Sequence, residues 1–154
     1  MSPACHNVLR AMEKQLYFED ISEGDAIPSL VKQPMTPQLV MWACASGDYN
    51  PIHYDKDYAL KQGLPGVIVH GQLAGAFLGQ MLTDWYGDRG SLVKLSLSYK
   101  GMNLPGDNIT CKGEVVKKNV EDGKNLVSLK IWAENPAGEQ TLTGTAMVSL
   151  PSRG

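Results

Sequence analysis

The chain lacks a surplus of either charge: 14 Lys and Arg stand against 16 Asp and Glu in 154 residues, a net charge of −2. With a pI near 5.9 there is no basic field to displace counterions from a phosphate backbone, so a nucleic-acid role is not expected. Cysteine is scarce and odd in number (Cys5, Cys44 and Cys111), with no CxxC pair, which excludes a disulfide framework and a zinc ribbon and fits a reducing compartment. Long apolar runs are missing too. The most apolar stretch, 66–82, is interrupted by His70, Gln72 and Gln80 and falls short of the roughly 20 residues of a membrane span. The beginning, MSPACHNVLRAMEKQ, has no apolar signal core, so a cytoplasmic protein with no membrane association is expected. There is no phosphate loop, no dinucleotide fingerprint and no Gly-x-Ser-x-Gly elbow, and no cofactor is expected.

What is present is enough for one core: a chain of this length buries about 68 to 70% of its unfolded surface. Residues 1–16 read as a lead-in, 17–150 as the domain and 151–154 as a tail. A strand over 27–33 precedes a helix that Thr36 caps, with Pro37 at its first position and Gly47 at its end. An irregular loop with one helical turn near 58–61 follows. Residues 71–85 form the longest helical pattern, with Leu73, Ala76, Phe77, Gln80 and Met81 on one face and Ala74 and Leu78 widening it. From Leu92 the period changes to two, and strands over 108–118, 125–134 and 139–150 are separated by Glu121-Asp-Gly-Lys124 and Asn135-Pro-Ala-Gly138. Strand, helices and then an antiparallel meander indicate an α+β fold in which a sheet packs on one main helix.

The densest chemistry is the string Ala45-Ser-Gly-Asp-Tyr-Asn-Pro-Ile-His-Tyr-Asp55. Taken singly, Asp48 and Asn50 read as turn caps and His53 as a satisfied polar residue. Together, in a loop turned by Gly47 and stiffened by Pro51, Asp48 and His53 can converge on one water or substrate atom as a general acid/base pair. A metal is not expected, because no second histidine stands at a helical or strand spacing that would complete a site. Cys44, on the apolar side of a helix, reads as a small buried hydrophobe. In Gly66-Val-Ile-Val-His-Gly-Gln72, the unpaired N–H groups at the helix start can bind an oxyanion, and Gly71 lets a substrate approach closely. His70, by itself, reads as a buried structural histidine. Gly71, Gly75 and Gly79 make a bare stripe whose purpose is either close packing on the sheet or room for an acyl chain.

The segments ASGDYNPIHYD (45–55) and PGVIVHGQLAGAFLGQ (65–80) together resemble the signature of the MaoC-like family of (R)-specific enoyl-CoA hydratases and dehydratases. LPGDNITCKGEV (104–115) and the introductory Glu23-Gly-Asp25 are similar to further parts of that family, and the resemblance spans roughly 17–150. It implies a single hot-dog fold, a curved antiparallel sheet around one long central helix. It also implies reversible hydration of a trans-2-enoyl thioester, on coenzyme A or acyl carrier protein, to an (R)-3-hydroxyacyl thioester. Asp48 and His53 would be catalytic, Gly71 the oxyanion donor, Asn50 a support, and Gly75 and Gly79 pocket residues. A family serine is replaced by Gly79. Lys94, Lys100 and Lys112 are candidates for the coenzyme A phosphates. A homodimer or heterodimer of hot-dog subunits is implied, with the thioester channel at the interface. Two alternatives remain: a non-catalytic thioester-binding subunit of a heteromeric dehydratase, and a hot-dog thioesterase.

Overall fold

The computed structural model describes residues 15–154; Cys5 and most of the lead-in expected over 1–16 lie outside the described residues. After a 3-10 turn at Phe18–Asp20 the elements run β1 (Ala26–Lys32), α1 (Thr36–Ser46), a 3-10 turn at Pro51–His53, α2 (Lys56–Lys61) and α3 (Gly71–Tyr86). Four strands complete the chain: β2 (Ser91–Tyr99), β3 (Ile109–Glu121), β4 (Lys124–Glu134) and β5 (Gln140–Leu150). They form one antiparallel sheet of order β1-β3-β4-β5-β2. The meander is therefore β3-β4-β5, while β2 crosses over to the free side of β5 and becomes an edge.

Local chemistry explains the joints. Asp122 and Gly123 both take positive φ (48° and 73°), the left-handed pair of a two-residue hairpin turn, so the β3–β4 register is fixed by Glu121-Asp-Gly-Lys124. β1 contains Pro28, which has no N–H to donate; it sits at a register break on an edge strand, where the loss is tolerated. Thr36 is the first residue of α1, one position inside the expected cap, and Met35 precedes it without a capping side chain. Residues 151–154 are tied back: the Phe18 N–H donates to the Pro151 carbonyl at 3.0 Å, the Asn125 amide donates to Ser152 Oγ at 2.8 Å, and Arg153 pairs with Asp20.

The sheet curls around α3, the hot-dog arrangement. The buried face of α3 is Leu73, Ala74, Phe77, Leu78, Met81 and Leu82, which meets Ile109, Cys111, Val115, Val127, Leu129, Ile131, Leu142, Ala146 and Val148 from the strands. Ala76 and Gln80, expected on that face, are exposed; the buried stripe is turned toward the i and i+1 pairs that a 3.6-residue repeat brings round. Each fully buried leucine here is worth about 1.5–3 kcal/mol. Among the described residues no helix is long and apolar enough to cross a membrane.

Candidate active site

Helix α1 ends at Gly47, whose left-handed conformation (φ 75°, ψ 7°) lets its N–H donate to the Ala43 carbonyl at 2.9 Å while the chain turns sharply. The next residue is Asp48. Its Oδ1 accepts from the Asn50 N–H at 3.4 Å, and its Oδ2 lies 3.8 Å from His53 Nε2. Asn50 in turn accepts the Ile52 N–H at 3.3 Å and caps the Pro51–His53 turn. Asn50 thus shapes the loop that carries His53.

Three hydrogen bonds join this loop to the segment leading into α3. The Ile68 N–H donates to the Ile52 carbonyl at 3.1 Å, His53 Nδ1 lies 2.8 Å from the Ile68 carbonyl, and His70 Nε2 lies 3.2 Å from the Asp48 carbonyl. A carbonyl only accepts, so each of these ring nitrogens carries the proton. In the neutral ring, His53 Nε2 then presents its lone pair toward the Asp48 carboxylate. The two imidazoles stack, with centroids 3.7 Å apart and planes 20° from parallel. Burial first, and the neighbouring His53 second, lower the pKa of His70 below the ordinary histidine value, while its bond to the Asp48 carbonyl opposes the shift.

His70, though at no helical or strand spacing from His53, joins Asp48 and His53 in a cluster whose ligand-type atoms lie within 4.8 Å of one another. The stack nevertheless opposes a metal. Ring lone pairs lie in the ring planes, and two nearly parallel planes 3.7 Å apart share no point at which one ion could meet both. His53 Nδ1 and His70 Nε2 are also already committed to carbonyls.

Gly71 is the first residue of α3, directly after His70, so its N–H stands at the positive end of the helix beside the histidine pair. The glycine stripe divides in two. A Cβ on Gly71 would sit 3.0 Å from the Tyr99 ring and one on Gly75 would sit 2.9 Å from Leu97 Cδ1, whereas at Gly79 nothing lies within 4 Å. Gly75 is thus a close-packing contact with β2 and leaves no room for substrate; Gly79 opens onto space.

An apolar cavity of about 260 Å³ lies beside the pair, lined by Leu39, Val40, Ala43 and Cys44 of α1 with Tyr49, Tyr54, His53 and His70. Cys44 is exposed rather than buried. A larger cavity, about 550 Å³, adjoins Pro65, Lys100, Met102, Asp107 and Thr141. The phosphate candidates separate by sheet face. Register places Gly113, Ile131, Gly144 and Leu97 in one row toward α3, and Lys112, Trp132, Thr143 and Ser98 in the row turned away. Lys94 shares that outer face with Ser96 and Ser98. Lys112 is further bound to Glu134 at 2.6 Å, a bond that, with the Trp132 indole N–H, holds the Glu134 carboxyl below the usual range. Lys94 and Lys112 thus stand on the sheet face turned away from α3, and Lys100 stands beside the larger cavity.

Residues 24–134 match the family model described as MaoC like domain. The chain is 32% identical over 139 residues to an (R)-specific enoyl-CoA hydratase of Rhodospirillum rubrum, an alignment covering 90% of this chain and 94% of that protein. The unliganded R-hydratase PhaJ1 from Pseudomonas aeruginosa superposes with a TM-score of 0.82 at 25% identity, covering 90% of this chain and 88% of that one. The ChsH1-ChsH2 complex from Mycobacterium tuberculosis gives a TM-score of 0.73 at 26% identity, over 84% and 98% of the two chains.

Proposed function

Because the chain belongs to the MaoC-like domain family, we propose that it is a hydro-lyase adding water reversibly across the C2=C3 bond of a trans-2-enoyl thioester, giving an (R)-3-hydroxyacyl thioester. The observation that carries this reading is the approach of Asp48 Oδ2 to His53 Nε2 at 3.8 Å, which in the neutral ring leaves two acceptors facing each other. Two acceptors facing across a short gap suit a donor with two protons, and a water molecule is that donor. As the water oxygen bonds to C3, one of its protons passes to the pair, and the C2=C3 π electrons move onto the thioester carbonyl. The Gly71 N–H, at the start of α3, meets the enolate charge there. The enolate then collapses and C2 takes a proton from the pair. One O–H bond and one π bond are broken, and C3–O and C2–H bonds are formed.

Two spaces are open to the acyl chain: the apolar cavity under α1 and the gap at Gly79. Lys100, which lines the larger cavity, is our candidate for the phosphates of a coenzyme A carrier. A second hot-dog subunit fits the edge at β2, where Val93, Leu95 and Tyr99 are 52%, 37% and 53% exposed and where, among the described residues, the strand is hydrogen-bonded only to β5. The enzymatic reading is tested by following the enoyl absorbance of crotonyl-CoA and a panel of longer or branched enoyl-CoA substrates. Loss of absorbance that His53→Ala abolishes supports hydration. Release of free thiol instead would assign a thioesterase, and activity indifferent to His53→Ala would assign a binding subunit.

A further inference from the structure

We propose that His70 is a positioning residue for the Asp48–His53 pair, its ring serving as tether for the Asp48 main chain and as platform for the His53 imidazole. The inference rests on the hydratase reading above.

Packing alone does not account for an imidazole at this place. His70 is 1% exposed, and with its proton on Nε2 the other nitrogen, Nδ1, is a buried acceptor without a hydrogen-bond partner among the described residues. A phenylalanine would fill the same space with no orphaned polar atom. What the imidazole adds is a donor and a flat polar face, and both are directed at the pair. The donor holds the Asp48 carbonyl at 3.2 Å, fixing the residue that follows the turn at Gly47. The face stacks on His53 at 3.7 Å and stops that ring from swinging out of the plane in which Nδ1 meets the Ile68 carbonyl. If the tether slips, Asp48 Oδ2 moves relative to Nε2; if the stack is removed, Nε2 loses its aim. His70 touches neither water nor thioester in this scheme and acts through the two residues that do.

The two functions separate in two variants. His70→Phe keeps a flat ring and deletes the donor, whereas His70→Gln keeps a donor and deletes the ring. With crotonyl-CoA we expect each variant to lose about 10²-fold in kcat at nearly unchanged KM, the scale of a displaced reacting group. The second readout is the ¹⁵N-histidine NMR spectrum of the unliganded protein. Wild type should show His70 as the neutral Nε2–H tautomer and His53, in its neutral form, as Nδ1–H. His70→Gln should turn the His53 signal into a tautomer mixture. The proposal is overturned if wild-type His70 carries its proton on Nδ1 or is cationic at neutral pH, or if both variants keep wild-type kcat. The wild-type spectrum needs no substrate and no folded variant. A protein that hydrates nothing, yet shows these tautomers, would therefore sink the hydratase reading and leave the tether standing.

Discussion

Replacing Asp48 with asparagine separates the chemistry of the carboxylate from its shape. The side chain is 40% exposed and meets His53 Nε2 at 3.8 Å, a contact that carries opposite charges only when the imidazole is protonated. Exposed pairs of this kind contribute about 0–1 kcal/mol. The amide oxygen can still accept the Asn50 N–H, now at 3.4 Å. The melting temperature should therefore fall by no more than about 4 °C, the shift that 1 kcal/mol gives at this chain length. Catalysis should suffer far more. The new amide N–H₂ is a donor aimed at the His53 lone pair, so one acceptor for the water is lost and the other is occupied. General acid/base action is worth about 10²–10⁴-fold, or roughly 2.7–5.5 kcal/mol of barrier. Asp48→Asn should lose that much in kcat on crotonyl-CoA, with KM little changed because the carboxylate does not hold the thioester. A kcat within about tenfold of wild type would refute the pairing. So would a loss of activity that tracked a matching loss of fold in circular dichroism.

The glycine stripe yields opposite signs on one helix. Gly79→Ala should raise stability by about 0.5–1 kcal/mol, since nothing lies within 4 Å and alanine is the better helix former, while Gly75→Val drives its side chain into Leu97 and should cost about 1–3 kcal/mol; urea midpoints decide both. Acid should weaken the fold through His70. Its folded pKa lies below the ordinary value of 6.5, so the unfolded chain binds the extra proton and stability is lost as pH falls through about 6.5 and below; His70→Phe should flatten that part of the stability curve. In a Cys5→Ser background a thiol reagent should label exposed Cys44 at once and leave Cys111 untouched until unfolding, because burial pushes the Cys111 thiol up to about 12; rapid labelling of both would contradict the packing of β3 on α3.

The parts legible in the sequence are those ruled by local chemistry. The Asp-Gly turn at 122–123, the glycine that ends α1, the two-residue period of the strands and the start of α3 at Gly71 all follow from a few neighbouring residues. The approach of Asp48 to His53 is legible for the same reason, since the two stand five positions apart in one stiff loop. What stayed hidden depends on partners distant in the chain. Nothing near Ser91 says that β2 pairs with β5, and nothing near Lys112 says that Glu134 waits across the ladder. His70 was visible as a histidine at a helix start, yet its contact with His53 exists only because residues 54–69 double back on themselves. The sheet face of Lys94 and Lys112 was readable from strand alternation around the apolar positions, had inward and outward rows been assigned.

The loop that carries the pair and the segment that opens α3 are joined by bonds between residues only 15 and 22 positions apart, whereas the Lys118 ammonium reaches the Phe18 carbonyl across 100. Closing a short loop sacrifices little chain entropy, and contacts of low sequence separation form early in folding. Residues 48–71 thus fold back on themselves through local bonds, and the Val69 N–H ties them to the Asn103 carbonyl at 2.8 Å. The distances among Asp48, His53 and His70 are therefore set within one short stretch of chain, from the end of α1 to the start of α3.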